Sequence, residues 1–396
     1  MMPLPQRLAA RIRAEGPLRF DAFQEAALYD AEGGYYERAG RVGRSGDFVT
    51  APSWHPAFGR TIARIARRLA GERKREEEIS SNGEEGGGEK RGAPTDLVDV
   101  GAGEGELLAA ADAALTAWGI RDGFRLVGVE RSSTRRRMAA ERVPSAAWLS
   151  TFEEIPPSSL SGLVVCYELF DALPVRALLF EGDRLLERVV TLSPRSQGGP
   201  DGEGAGGSFE WSFAECADGA ELLERFRSRG IHLRRNQKLE VRGSAARLAS
   251  ALAARLSRGI LLVFDYGAPA RALYSAARAE GTLEAFVGHG VTRDVLTEPG
   301  SRDLTAWVDF SELADAFAAA GLDVAGPVSQ SRVLAAGGIF EELAIDPEAP
   351  PDASREADRR AAAALVQPGG MGESIRVLAA GRGSTLARTL TSWTSP

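Results

Sequence analysis

Cysteine is scarce. Cys166 and Cys216 are the only two in 396 residues. They lie far apart and neither belongs to a CxxC pair, which argues against a disulfide framework and against a cysteine zinc site. So low a count fits a reducing compartment, and Cys166, inside an apolar run, reads as a small buried hydrophobe. The three histidines, His55, His232 and His289, are scattered, so no metal site is expected. No run approaches the roughly 20 apolar residues of a membrane helix. The first residues carry Arg and reach Glu15 without an apolar signal core. The expectation is a soluble, cytoplasmic protein. Excess positive charge is missing as well. Lys and Arg number 48 against 55 Asp and Glu, a net charge of -7. No segment gathers Lys and Arg beside aromatics, so neither nucleic acid nor membrane is expected as a partner. The short cluster Arg135, Arg136, Arg137 reads as a solvated helix face.

What is present is a large apolar fraction, 44%, enough for one elaborated domain or a domain with a satellite. Apolar residues recur at helical spacing over 4–12, 20–28 and 58–69. Between the second and third of these, residues 43–52 are rich in Gly with Ser, Asp and Thr, a loop of the kind that carries function. Residues 73–91 are charged, Gly-rich and nearly devoid of apolar side chains. They are expected to be a disordered insertion, because they cannot bury enough surface to offset their ordering entropy. From residue 96 strands alternate with helices. Strands are expected at 97–100, 125–129, 147–149, 162–167 and 259–265, with helices at 107–118, 133–142 and 245–258. That alternation implies a doubly wound, mostly parallel sheet. Residues 175–237 interrupt it with a hairpin about Gly182-Asp183 and a further strand near 209–213, a small β-rich insertion. A polar segment follows to residue 305, then a helix at 311–320 ending at Gly321, a surface loop at 347–355 and a closing strand near 374–379.

The central chemical signal is Val98-Asp99-Val100-Gly101-Ala102-Gly103-Glu104-Gly105. An apolar strand ends in alternating glycines and a helix follows at once. Gly101 and Gly103 let the backbone turn tightly and approach a ligand, and the helix N-terminus offers free N–H groups. A glycine turn that merely joins strand to helix is the competing reading. Glu130 weighs against it. It ends the second strand, about 30 residues after the first, where an acid accepts the ribose hydroxyls of a bound nucleoside. GxGxG is not the GxGxxG of dinucleotide enzymes, which favours S-adenosylmethionine over a nicotinamide. At the fourth strand, Glu168-Leu169-Phe170-Asp171-Ala172-Leu173-Pro174 follows an apolar run, so Glu168 and Asp171 fall near the carboxyl ends of strands, where such sheets bind ligands. There a carboxylate holds a guanidinium or accepts a proton. The alternative makes Asp171 a helix cap and Glu168 a local partner.

These segments together resemble the MidA-like S-adenosylmethionine-dependent methyltransferases, a family that includes a mitochondrial protein-arginine methyltransferase of complex I assembly. The resemblance runs from about residue 20 to 339. It rests on Gly34-Tyr35-Tyr36, Gly46-Asp47-Phe48-Val49-Thr50-Ala51-Pro52 with Phe58-Gly59, the glycine turn, Glu130, and Glu168 to Pro174. It continues with Asp265-Tyr266-Gly267, Gly281-Thr282-Leu283 with His289, and Asp303-Leu304-Thr305 through Val308-Asp309-Phe310. Three positions depart from the family pattern. Ser53-Trp54 follow Pro52 where an acid is usual, Tyr167 stands where Asn is usual before Glu168, and Asp99-Val100 replace Glu-Leu.

The resemblance implies a Rossmann-like class I methyltransferase core, an α/β fold with a doubly wound, mostly parallel sheet, an N-terminal helical lid and the β-rich insertion. The corresponding division is a lid at 1–70, a disordered insertion at 71–95, the core at 96–174 and 238–396, and an acceptor-side subdomain at 175–237. It implies S-adenosyl-L-methionine as cofactor, held by Gly46, Asp47, Thr50, Gly101, Ala102, Gly103, Gly105, Glu130 and Glu168. It gives Glu168, Asp171, Asp265, Tyr266 and His289 as catalytic candidates, without deciding which takes the proton, and a protein side chain, arginine, as acceptor. The bulk of the insertion also favours a macromolecular acceptor. The rival readings are a small-molecule methyltransferase, a nicotinamide dehydrogenase and a non-catalytic assembly factor that keeps the fold.

Overall fold

A computed structural model describes residues 2–38, 43, 46–81, 93–193, 208–288, 290–344 and 352–383. The chain divides into two compact units interleaved along the sequence. One consists of Val49–Leu169, Leu248–Tyr266 and Leu313–Pro396, the other of Met1–Phe48, Phe170–Arg247 and Gly267–Glu312.

The first unit is built on one sheet. Its strands are β1 (Thr95–Val100), β2 (Phe124–Val129), β3 (Ala147–Leu149), β4 (Leu160–Tyr167), β5 (Leu256–Ala268), β6 (Asp323–Ser329) and β7 (Ile375–Arg382), and their spatial order is β6-β7-β5-β4-β1-β2-β3. β1 to β5 run parallel, and β7 runs against both its neighbours. The inner strands are mostly apolar because both faces are covered: Leu97, Val98, Leu163 to Cys166 and Ile260 to Phe264 are all buried, and Asp96, Asp99 and Asp265 are buried with them. Helices Ala57–Ser81 and Glu106–Ala117 cover one face. They approach closely at Gly59, where an added Cβ would lie 2.6 Å from Ala110 Cβ. From β1 the chain steps outward to β2 and β3, then returns to β4 on the other side of β1. The strand order therefore reverses between β1 and β4, and the carboxyl ends of those two strands flank the crevice where open α/β sheets take their ligands.

The second unit is antiparallel. Strand Leu185–Leu192 pairs with Leu18–Arg19, Arg176–Phe180 and Phe209–Glu215, and Arg176–Phe180 pairs in turn with Gln237–Val241. The expected hairpin is there, with Phe180 opposite Leu185 around Gly182-Asp183. Helices Leu4–Glu15 and Phe20–Tyr29 bury Leu8, Phe20 and Phe23 with Val190 and Leu192 of the sheet. A small sheet, Gly290–Thr292, Glu284–Val287 and Asp303–Thr305, completes the unit.

Several boundaries differ from the sequence reading. Residues 71–95 are not one loose insertion. The helix begun at Ala57 runs on to Ser81, and β1 starts at Thr95. Its polar last turns need little burial once a buried first half has nucleated the helix; residues 82–92 lie outside the described set. The lid expected at 1–70 is split, since residues 49–70 belong to the sheet unit and 1–48 to the antiparallel one. Leu18–Arg19 adding a strand beside Val189 and Val190 is the cause. Residues 238–247 and 267–312 join the same antiparallel unit rather than the core. Arg135 is buried, not solvated. β6 was not anticipated. Gly326-Pro327 break its pattern, and its ladder to β7 skips between Ala325 and Val328. Of the loop expected at 347–355, residues 353–355 instead open the helix Ala353–Ala363, and residues 347–351 lie outside the described set.

Candidate active site

The register aligns the site. Val129, Val100, Cys166 and Val263 lie side by side across β2, β1, β4 and β5. Counted from this row, Glu130 and Gly101 lie one residue further toward the carboxyl ends of their strands and Glu168 and Asp265 two; Glu168 is the first residue past β4, while Asp265 is still within β5, opposite Arg376 of β7. Adjacent strands lie about 4.8 Å apart, so these four positions span about 14 Å of one edge.

At the glycine turn, Gly101, Gly103 and Gly105 have φ of 80°, 55° and 83°. This left-handed region is nearly closed to residues with a Cβ. Gly101 N and Ala102 N both donate to Val129 O, at 2.9 and 3.0 Å, which closes the turn onto β2. Gly105 caps helix Glu106–Ala117, and a Cβ there would meet Trp148 at 3.0 Å and Ala139 at 3.1 Å. Gly103 differs from both. Nothing lies within 4 Å of the position its Cβ would take, so no packing explains glycine there and the space beside the turn is open to a ligand. Glu130 faces this turn. Its Oε2 accepts from Gly103 N at 2.9 Å and its Oε1 from Ser132 N at 2.8 Å. Arg136 Nη1 donates to Glu130 O at 2.7 Å. These bonds fix the Glu130 carboxylate beside the glycine turn.

Two further carboxylates stand on the edge. Glu168 has φ 47°, one of few non-glycine residues in the left-handed region, and its N–H donates to Phe264 O at 2.8 Å. That bond brings it beside β5 at Phe264. Asp265 is fully buried and its Oδ1 accepts from Tyr266 N at 2.9 Å; Tyr266 is half-buried. Strained residues of this kind cluster at functional sites. Behind the turn, burial pushes the Asp99 carboxyl up to about 8, helped by Glu106 and Glu130. Burial likewise raises the Cys166 thiol, with Asp99 and Asp265 adding to it. Thr50 caps the short helix Ala51–Trp54 in a reciprocal pair with Ser53, and Ala51 N donates to Tyr167 Oη at 3.3 Å.

Of the positions singled out in the sequence, Thr50, Gly101, Ala102, Gly103, Gly105, Glu130, Glu168, Asp265 and Tyr266 belong to this unit. Gly46, Asp47 and Asp171 belong to the antiparallel unit, and His289 lies outside the described residues. The Asp47 carboxylate accepts from Tyr35 Oη at 3.0 Å and from Gly288 N at 2.9 Å, bonds within the antiparallel unit. Tyr36 Oη donates to Asp303 Oδ1 at 2.8 Å, and Thr282 N and Oγ1 donate to Glu240 Oε2. Asp171 O receives Arg242 Nη2 at 2.9 Å and Ala306 N at 3.1 Å. Sequence reasoning missed Arg242, Glu240, Tyr167 and Gln330. Their partners are tens to hundreds of residues away in the chain, and only Tyr167 carried a signal, as a departure from the family's Asn.

A family profile described as S-adenosyl-L-methionine-dependent methyltransferase matches residues 48–328. The mitochondrial protein arginine methyltransferase NDUFAF7 homolog of Drosophila melanogaster is 26% identical over 360 residues, 84% of this chain and 74% of that protein. The mouse mitochondrial protein arginine methyltransferase NDUFAF7 is 26% identical over 372 residues, 87% of this chain and 76% of that one. The crystal structure of a candidate methyl transferase from Burkholderia thailandensis, bound to S-adenosyl-homocysteine, matches with a TM-score of 0.78 at 29% identity, over 96% of this chain and 92% of that one. The fold is that of class I methyltransferases, with a mixed, mostly parallel sheet, N-terminal helices and extra antiparallel sheets. The cofactor is S-adenosylmethionine. The open left-handed Gly103 and the acid beside it suit a nucleoside carrying a flexible amino-acid arm.

Proposed function

We propose, on the premise that the chain belongs to the Methyltransf_28 family of S-adenosyl-L-methionine-dependent methyltransferases, that it methylates an arginine side chain of a protein. The observation that carries this reading is Glu168, a carboxylate held in strained backbone at the edge that bears the glycine turn. The names of the curated relatives in fly and mouse support the choice of arginine.

The cofactor supplies an electrophilic methyl group when bound. The residues of the chain must bind it, orient the acceptor nitrogen in line and exclude water. Glu130 would hold the nucleoside end, and the open space beside Gly103 would admit the amino-acid arm. Arginine stays charged at neutral pH, so its guanidinium needs a carboxylate partner. Glu168 takes that role through a charge-assisted pair, which draws the guanidinium toward the edge and leaves electron density on the attacking nitrogen. The proton that this nitrogen loses passes to a neighbouring carboxylate. Asp265 follows Phe264, whose carbonyl holds Glu168 N, and is the nearest acid in the sheet register.

Glu168→Gln keeps the shape and removes the charge. S-adenosylmethionine binding should stay near the wild-type value, and methylation of protein acceptors should fall at least about tenfold, ~1.4 kcal/mol of transition-state stabilisation. Wild-type methylation in a folded Glu168→Gln protein removes the residue from the mechanism. Transfer to small molecules alone would favour the small-molecule reading.

A further inference from the structure

Helix Ala51–Trp54 has only four residues, and the first N–H groups of a helix have no partner within it. Thr50 satisfies Ser53 N. Ala51 is fully buried, and an N–H buried there without a partner would be costly. Tyr167 Oη supplies the acceptor, at 3.3 Å from Ala51 N. The same hydroxyl donates to Gln330 Oε1 at 3.0 Å, and Gln330 Nε2 donates to Leu365 O at 3.1 Å. Tyr167 is nearly buried and Gln330 and Leu365 fully so. The relay is directional, because each group along it donates onward, and the amide of Gln330 fits in one orientation only. The ring of Tyr167 is held as tightly as its hydroxyl, edge-on to Phe58 at 5.0 Å and stacked on Phe264 at 5.6 Å. Burial raises the hydroxyl well above the usual tyrosine range, so it stays protonated and keeps its donor.

The two ends of this relay matter because of what they adjoin. Ala51 follows Thr50, and Tyr167 precedes Glu168. We infer that Tyr167 and Gln330 are positioning residues, which lock the segment around Thr50 to the carboxyl edge of the sheet so that Thr50 and Glu168 keep one spacing for the cofactor. The inference rests on the reading above that this edge binds S-adenosylmethionine. Tyr167→Phe keeps the ring packing and removes the link. Two buried groups then lose their partner, and the segment around Thr50 is freed from the edge.

The test is calorimetric titration of S-adenosylmethionine into the full chain, paired with thermal melting. The proteins are wild type, Tyr167→Phe, Gln330→Met and the double variant. Each single variant should bind about five- to tenfold more weakly. The double variant should be no weaker than Tyr167→Phe, since Gln330 acts on Ala51 through the Tyr167 hydroxyl, which that change removes. A merely structural role predicts lower melting temperatures with unchanged affinity in the folded proteins, and that result overturns the inference. So does an affinity loss that adds fully in the double variant. If Tyr167→Phe does not fold, Gln330→Met, which leaves both rings in place, decides by the same affinity criterion. Absence of binding by the wild-type chain would instead count against the functional reading on which the inference rests.

Discussion

Gly103 offers the cleanest perturbation of the cofactor site. Its φ of 55° is left-handed, so any L residue there costs about 1–2 kcal/mol of backbone strain. A fall in stability alone would therefore say nothing about ligand. Gly119 supplies the control. It follows the far end of helix Glu106–Ala117, has φ 67°, and like Gly103 has nothing within 4 Å of its would-be Cβ. Gly103→Ala and Gly119→Ala should lose similar stability, on the order of 1 kcal/mol each. They should differ in binding. A methyl group at Gly103 enters the space assigned to the cofactor, and affinity should fall at least about tenfold, or ~1.4 kcal/mol. The branched side chain of Gly103→Val should cost about a hundredfold or more, ~2.7 kcal/mol. Gly119→Ala should bind as the wild type does. The assay is titration calorimetry with S-adenosylmethionine on proteins shown to be folded by melting. Equal affinities for the Gly103 and Gly119 variants would refute the placement of the ligand at this turn.

Asp99 yields a pH prediction. Its carboxyl is ionised in the unfolded chain above about pH 4 but keeps its proton in the folded protein up to about pH 8. The native state binds more protons in that window, so this group lowers stability as pH rises through it. Asp99→Asn, which mimics the neutral acid, should gain on the wild type by at least about 1 kcal/mol between about pH 5 and about pH 8; a pH-independent difference in denaturant midpoints would contradict the raised carboxyl. Arg242 donates to the carbonyls of Leu173, Trp307, Asp171 and Ala306. Arg242→Met should therefore destabilise by ~3 kcal/mol or more, and a loss under about 1 kcal/mol in chemical denaturation would show the bonds to be dispensable. Residues 82–92 contain no apolar side chain, so replacing them with a short Gly/Ser linker should leave melting temperature and cofactor affinity unchanged. A large fall in melting temperature would assign them a packing role.

The legible parts of the sequence were those set by local rules. β1, β2 and β4 announced themselves as apolar runs ending in glycine or acid, and Glu130 and Glu168 fell where strand ends put them. The register then turned these separate motifs into one edge, which a pattern along the chain does not give. The division into units was not legible. A two-residue strand, Leu18–Arg19, has no periodicity to read, yet it carries the N-terminal helices into the antiparallel unit. β6 was hidden by Gly326-Pro327. The tail of helix Ala57–Ser81 was hidden by its own charge, because its polar composition describes what a long helix shows to solvent as well as it describes disorder. Gln330 and Arg242 were invisible, and Tyr167 showed only as a departure from the family's Asn, since a buried polar residue has meaning only through partners that folding brings to it.

The central claim is that the carboxylate edge beside the glycine turn directs a methyl group from S-adenosylmethionine to arginine. The most direct measurement is transfer of labelled methyl from the cofactor to proteins of a cell extract by the purified chain, followed by acid hydrolysis and amino-acid analysis. The label should elute as methylated arginine and should be absent when the chain is omitted. Label in another amino acid, or protein left unlabelled while the chain binds the cofactor, would contradict it.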